Sequence, residues 1–211
     1  MFQDRYRTAY DALSVPLKPQ DGLSQRALEA MELEGLTMPQ ALFEYYAVAG
    51  RETRLNRSFN RLLEPAQVGV DAGRIVFMEE NQNVVYWGVR PLEPDPIVEQ
   101  GVNVEGQDLE WHSEGVRLSE FLTVMLYVQA TFGEALPHVV AADVPADFAA
   151  RASALFPLVG RIGGLSAFAP ERAALTLTEW DEGEWRLLGG FHSVKAKNAV
   201  SRALAVDWED L

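Results

Sequence analysis

The periodicity of the chain changes at Arg61. Before it, apolar residues recur at helical spacing. After it come short runs of β-formers, GRIVFM, NVVYWGVR, DPIVEQ and DLEWHS, each bounded by turn residues. Two of these runs, Arg74 to Met78 and Val84 to Val89, are separated by Glu79 to Asn83, a segment with the length and polarity of a hairpin connection. The strands are therefore expected to be antiparallel. Strands return near the end of the chain as LSAFAP, RAALTLTEW and EWRLLGGF, the last two around the turn DEGE, which predicts that Trp180 and Trp185 meet across a hairpin.

Helices are expected on both sides of the strand-rich middle. The chain reads as helical to about Leu13 and again from Ser24 to Leu33. LTMPQALFEYYAVAG is punctuated as a helix, with Thr37 as cap, Pro39 in the first turn, an apolar stripe of Leu42, Tyr45, Tyr46 and Ala49, and Gly50 as the stop. Arg51 to Arg61, RETRLNRSFNR, follows as a basic connector, read as an exposed loop or as counter-charge to the acidic chain. After Gly115, Leu118, Phe121, Leu122, Met125, Gln129 and Phe132 form a helical core stripe ending at Gly133. Pro145 opens an Ala-rich helix with Phe148, Ala152, Leu155 and Val159 on one face. A last helix runs from a Ser193 cap through Val200, Ala203 and Leu204 towards Trp208. Antiparallel strands with helices packed on them define an α+β fold, and 211 residues, about half of them apolar, are read as one domain, 1–211.

Charge narrows the class of partner. With 18 basic and 31 acidic residues the net charge is −13, a poor match for nucleic acid. From Glu64 to Glu114 eleven acidic residues face only Arg74 and Arg90, a net −9. That stretch is read as a solvated sheet face or, more sharply, as a docking surface for a basic protein. The candidate partner-binding residues are Glu79, Glu80, Asn81, Glu93, Asp95, Asp108 and Glu110. No run of roughly 18 apolar residues is present to span a bilayer, and the start MFQDRYR lacks the apolar core of a signal peptide, so a cytoplasmic location is expected.

Catalytic signatures are weak. A chain without cysteine has neither disulfides nor thiolate chemistry, and His112, His138 and His192 are far apart in sequence. Glu79 and Glu80 could do acid and base work in a dry pocket, but a hairpin tip seldom supplies one. In DLEWHSE, strand alternation sets Asp108, Glu110, His112 and Glu114 on one face and Leu109 and Trp111 on the other, an arrangement that could hold a metal but is ordinary on the wet side of a sheet. GRIGGLSAF lacks the glycine spacing of a dinucleotide loop or a nucleophile elbow. No cofactor, metal site or catalytic residue is expected.

The order MPQALFEYYAVAG, FMEENQNVVYWGV, DPIVEQ and LSEFLTVMLY resembles the pattern of the SUKH superfamily, whose members include bacterial immunity proteins and a fungal regulator of cell-wall synthesis. The matching positions are Pro39, Leu42, Tyr45, Tyr46, Phe77, Glu80, Asn81, Trp87, Gly88, Asp95, Pro96, Phe121 and Leu122. The motif-bearing core covers about 36–132, and 133–211 follows the pattern more loosely. The resemblance implies a domain that acts by protein binding, most often by neutralising a toxin domain such as a nuclease or deaminase. Two other readings stay open: a regulatory scaffold without a toxin partner, and a metal-dependent hydrolase built on Asp108, Glu110 and His112.

Overall fold

In the computed structural model, which describes residues 1–31, 33–104, 108–133 and 135–210 (for Asp210 the backbone alone), the change of period at Arg61 marks the start of the first of two antiparallel sheets. Among the described residues four α-helices, with a 3-10 turn at Pro19–Asp21, precede it: α1 (Phe2–Ala12), α2 (Gln25–Glu29), α3 (Gln40–Ala49) and α4 (Thr53–Asn56). The first sheet takes β1 (Arg61–Leu62), β2 (Gly69–Asp71), β3 (Arg74–Glu79), β4 (Val85–Val89), β5 (Ile97–Val102) and β6 (Glu110–Arg117) in the order β1-β3-β4-β5-β6, with β2 also paired to β3. After the helix α5 (Leu118–Phe132) come β7 (His138–Val144), α6 (Phe148–Leu155), β8 (Leu158–Ile162), β9 (Leu165–Phe168), β10 (Ala173–Asp181), β11 (Glu184–Phe191), α7 (Val194–Leu204) and β12 (Glu209–Asp210). The second sheet is ordered β12-β7-β11-β10-β9-β8. The fold is α+β.

The helix α5 lies at the centre. Rather than a single core stripe, it buries residues on every side, from Leu118 and Phe121 to Tyr127 and Thr131, because the second sheet covers the face that the first leaves open. Such a helix needs apolar or satisfied polar side chains all round. Its polar members are satisfied: Thr131 and Thr176 share a hydroxyl hydrogen bond of 2.9 Å, and Gln129 accepts from the backbone N–H groups of Phe59 and Asn60 and donates to the Asn60 carbonyl. Phe132, read as core, is 39% exposed and stacks on Phe59 at 4.3 Å. Alternation along β10 turns Ala174 and Thr176 towards α5, and Leu175 and Leu177 towards a second apolar cluster under α6 and α7. Gly190 lets this sheet approach α5, since a Cβ there would stand 2.1 Å from the Ala130 carbonyl oxygen.

Several boundaries differ from expectation for local reasons. The stretch read as helical from Ser24 to Leu33 is shorter: Ser24 caps α2, accepting from the Ala27 N–H, the helix stops at Glu29, and Glu34 and Gly35 turn the chain with positive φ. Pro39 rather than Thr37 starts α3, where a free N–H, that of Ala41, is satisfied by the Pro94 carbonyl of the β4–β5 connection. Such a cap is tertiary and invisible to local reading. The basic connector contains α4, capped by Glu52. The Ala-rich helix ends at Leu155, which is 48% exposed, and Val159 belongs to β8, because extended Phe156 and then Pro157 end the helix and GRIGG forms the β8–β9 turn. A register shift between Glu179 and Asp181 sets Trp185 opposite Glu179, leaves Trp180 outside the pairing and 73% exposed, and separates the two rings expected to meet.

Candidate protein-docking surface

The β3–β4 connection is a tight hairpin. Glu80 N–H donates to the Val85 carbonyl at 2.8 Å and Asn83 N–H to the Glu80 carbonyl at 3.0 Å. Asn83 takes φ +61, a left-handed conformation that asparagine tolerates better than most residues. Glu80 accepts from the Gln82 N–H at 2.7 Å, so one of its oxygens stiffens its own turn. The turn is also tied to the end of β5: Asn103 donates from its N–H to the Val84 carbonyl and from its side chain to the Asn83 carbonyl, both at 2.9 Å. Val85 pairs with Val102, and Val102 with Glu110 on β6. One end of the first sheet thus gathers a half-buried Glu80 with Asn81, Val84, Val104, Asp108 and Glu110, the last five exposed, Val84 at 47% and Val104 at 46%. Glu110 and His112 stand 3.4 Å apart there.

The other sequence-predicted residues lie elsewhere or are held by the chain itself. Glu79, the last residue of β3, turns towards Arg61, 3.0 Å away, and its side chain is largely buried. Glu93 and Asp95 belong to the β4–β5 connection at the opposite end of the sheet, separated from the hairpin by the five residues of β4, roughly 17 Å of extended chain. Glu93 pairs with Arg117 at 2.9 Å. Both carboxylate oxygens of Asp95 serve Ser119 in the first turn of α5, one accepting from its N–H and the other from its hydroxyl, each at 2.7 Å.

Two further carboxylates of the stretch are also held by arginines of the chain. Glu64 pairs with Arg57, and Glu99 lies between Arg74 and Arg90. Counting Arg57, Arg61 and Arg117, which lie outside 64–114 in sequence but beside it in space, eleven acidic residues face five arginines, which leaves −6 rather than −9. The basic connector thus supplies counter-charge to the acidic sheet, two of its arginines pairing with Glu64 and Glu79 and Arg54 with Glu52.

The two faces of DLEWHSE also take shape. Trp111 lies against Gly88 and Gly101 on one face, donates to Asp71 at 2.7 Å and carries the Arg74 guanidinium 4.9 Å above its ring. On the other face Glu114 accepts from the Trp87 indole N–H at 2.9 Å, while Glu110 and His112 point to solvent. Among the described residues, no three His, Cys, Asp or Glu side chains stand close enough together to hold a metal ion. Glu93 lines a cavity of about 300 Å³ with Pro91, Leu92 and Pro94 against Met38 and Pro39. Among the described residues no helix is long and apolar enough to cross a membrane.

Chemically, the hairpin end can accept hydrogen bonds from cationic side chains and cover apolar surface with its valines. Sequence reading found its carboxylates and Asn81 but missed Val84 and Val104. The signal was there in part: Val84 directly follows the turn residue Asn83, where a strand has no neighbouring layer yet. Comparison of the chain with family models, with curated proteins and with solved structures returns no match.

Proposed function

We propose that the chain is a non-enzymatic binding protein whose hairpin end of the first sheet docks a basic protein partner. The observation that carries this reading is the contrast among the acidic residues. Glu79, Glu93 and Glu99 face arginines of the same chain, whereas Glu80, Asp108 and Glu110 have no arginine or lysine among the described residues and stand beside two exposed valines. Carboxylates of this kind steer a cationic partner, and apolar residues within them supply contact area. Exposed Glu110 and His112 extend the surface along β6, which ends the sheet.

The SUKH-like order of motifs supports a narrower form of the proposal: a bacterial, cytoplasmic immunity protein that neutralises a toxin domain. A nuclease cleft must attract phosphate and is therefore basic, so an acidic surface can occupy it.

Association kinetics with the product of the neighbouring gene test the reading. Replacing Glu80 and Glu110 by Gln and Asp108 by Asn together should slow association about tenfold at low salt, with a smaller change in dissociation. Raising the salt to about 0.15 M, where exposed charges are screened beyond about 8 Å, should remove most of the difference. An association rate unchanged by the three substitutions would refute the docking surface. A partner unrelated to any toxin would leave the surface standing and favour a regulatory scaffold.

A further inference from the structure

The tip of the β10–β11 hairpin exposes a large aromatic side chain that the fold does not use. Pairing runs regularly from Ala173↔Phe191 to Glu179↔Trp185 and resumes at Asp181↔Glu184, so that Trp180 is the extra residue of a bulge and stays 73% exposed. Its neighbours are Glu179, Asp181, Glu182 and Glu184, all exposed, and no described arginine or lysine pairs with them. The nearby Arg186 is engaged by Asp143 at 2.8 Å and by Glu209 at 3.8 Å. The tip is braced internally: Glu179 accepts from the Gly183 N–H at 3.0 Å and Asp181 from the Glu182 N–H at 2.7 Å. Bulges re-aim side chains, and this one turns an indole into solvent on a stiffened support.

We propose that this hairpin is a second docking site, distinct from the hairpin end of the first sheet, and that it takes an extended, arginine-bearing segment of a protein partner. An arginine can lie on the face of Trp180 while the surrounding carboxylates accept its N–H groups, since a guanidinium is both a weakly hydrated cation and a planar fork of donors. Covering the indole removes on the order of 150 Å² or more of aromatic surface from water. The site does not depend on Glu80, Asp108 or Glu110, which belong to the other sheet.

A short peptide of alternating arginine and glycine, titrated into the protein labelled for NMR, tests the proposal, with the same peptide carrying neutral citrulline in place of arginine as control. The Trp180 indole N–H and the amides from Glu179 to Glu184 should shift on addition of the arginine peptide and stay in place with citrulline. Trp180→Ala leaves the net charge unchanged, so non-specific attraction to an acidic protein is preserved, yet affinity should fall about three- to tenfold; Trp180→Phe should recover part of it. The variant with Glu80, Asp108 and Glu110 neutralised should bind the peptide at this hairpin as the wild type does, which separates failure here from failure at the first sheet. Unchanged affinity in Trp180→Ala, or shifts spread evenly over the acidic surface, would overturn the proposal. So would movement of the Trp180 signal with protein concentration alone, which would make a second copy the occupant.

Discussion

Asp95 shows how the structure separates a carboxylate that builds the fold from one free to meet a partner. The two leading N–H groups of α5 find acceptors outside the helix: Leu118 donates to the Pro96 carbonyl at 2.8 Å and Ser119 to Asp95 at 2.7 Å. Asp95 is thus a cap delivered from the β4–β5 connection, and it ties the loop to the most buried helix of the molecule. Replacing a capping carboxylate by alanine costs about 0.5 to 2 kcal/mol, and a hydrogen bond to a charged group contributes about 1.5 to 3 kcal/mol. The two bonds share one half-exposed side chain and are not additive, so Asp95→Ala should destabilise by about 2 kcal/mol out of a total of roughly 5 to 15 kcal/mol. Asp95→Asn keeps an acceptor for the Ser119 N–H, and its amide can donate to the Ser119 hydroxyl. It loses the charge, worth about 0.3 to 1 kcal/mol at a helix N-terminus. Urea unfolding with the slope held constant measures both values. Asp95→Ala within about 0.5 kcal/mol of wild type would refute the capping role, and Asp95→Asn as costly as alanine would assign the effect to charge rather than geometry.

Trp87 packs on Phe121 with ring centroids 5.7 Å apart and is 7% exposed, so Trp87→Ala should cost about 3 to 5 kcal/mol, and a nearly neutral urea melt would contradict its place in the core. Gly88→Ala would place a Cβ 2.9 Å from the Trp111 ring and should destabilise by about 1 to 3 kcal/mol; a double-mutant cycle with Trp111→Ala should show the two penalties strongly coupled, and additive values would deny the contact. Burial raises Tyr127 to about 12 and Tyr6, Tyr10, Tyr45 and Tyr46 further still. Because the unfolded chain ionises these groups near pH 10, their contribution to stability is present below that value and falls as pH rises towards the folded ones. Tyrosinate absorbance and loss of far-UV circular dichroism should therefore appear together in one cooperative step above pH 10, and ionisation of these tyrosines with native dichroism would refute it.

What the sequence disclosed follows the range of the interactions involved. Ser193 caps α7 with its own side chain, bonding the N–H three residues on, and was readable as a cap; Ser24 does the same for α2, where the sequence reading marked only the start of a helix. The β3–β4 hairpin was readable because turn chemistry and strand alternation agree there. The cap on α3 was misread because its acceptor, the Pro94 carbonyl, comes from another part of the chain. The strand β7, HVVAADV, dilutes its β-formers with alanine, and it lies in a sheet whose existence made α5 buried on all sides rather than along one stripe. The bulge at Trp180 depends on a shift of one residue in pairing, and a period-2 pattern carries no mark of where it slips.

Charge density along a chain and charge density on a surface are different quantities, and the first sheet separates them. Summed over 64–114 every carboxylate counts alike, yet Glu79 and Glu80 are adjacent in sequence and opposite in circumstance. Strand alternation turns Glu79 to the arginine that β1 brings alongside β3, while Glu80 begins the turn and accepts from one backbone N–H, that of Gln82. An ion pair inside the chain largely cancels its own field at a distance, whereas an unpaired carboxylate at a hairpin tip projects its field outward over about a Debye length. Neutralising Glu79 should therefore act through stability, by loosening the pairing of β1 on β3. Neutralising Glu80 should act on the rate at which a cationic partner arrives. The two single variants, Glu79→Gln and Glu80→Gln, compared in urea melts and in association kinetics, should exchange their rank between the assays. A common rank in both would mean that proximity in sequence, rather than pairing in space, governs what these carboxylates do.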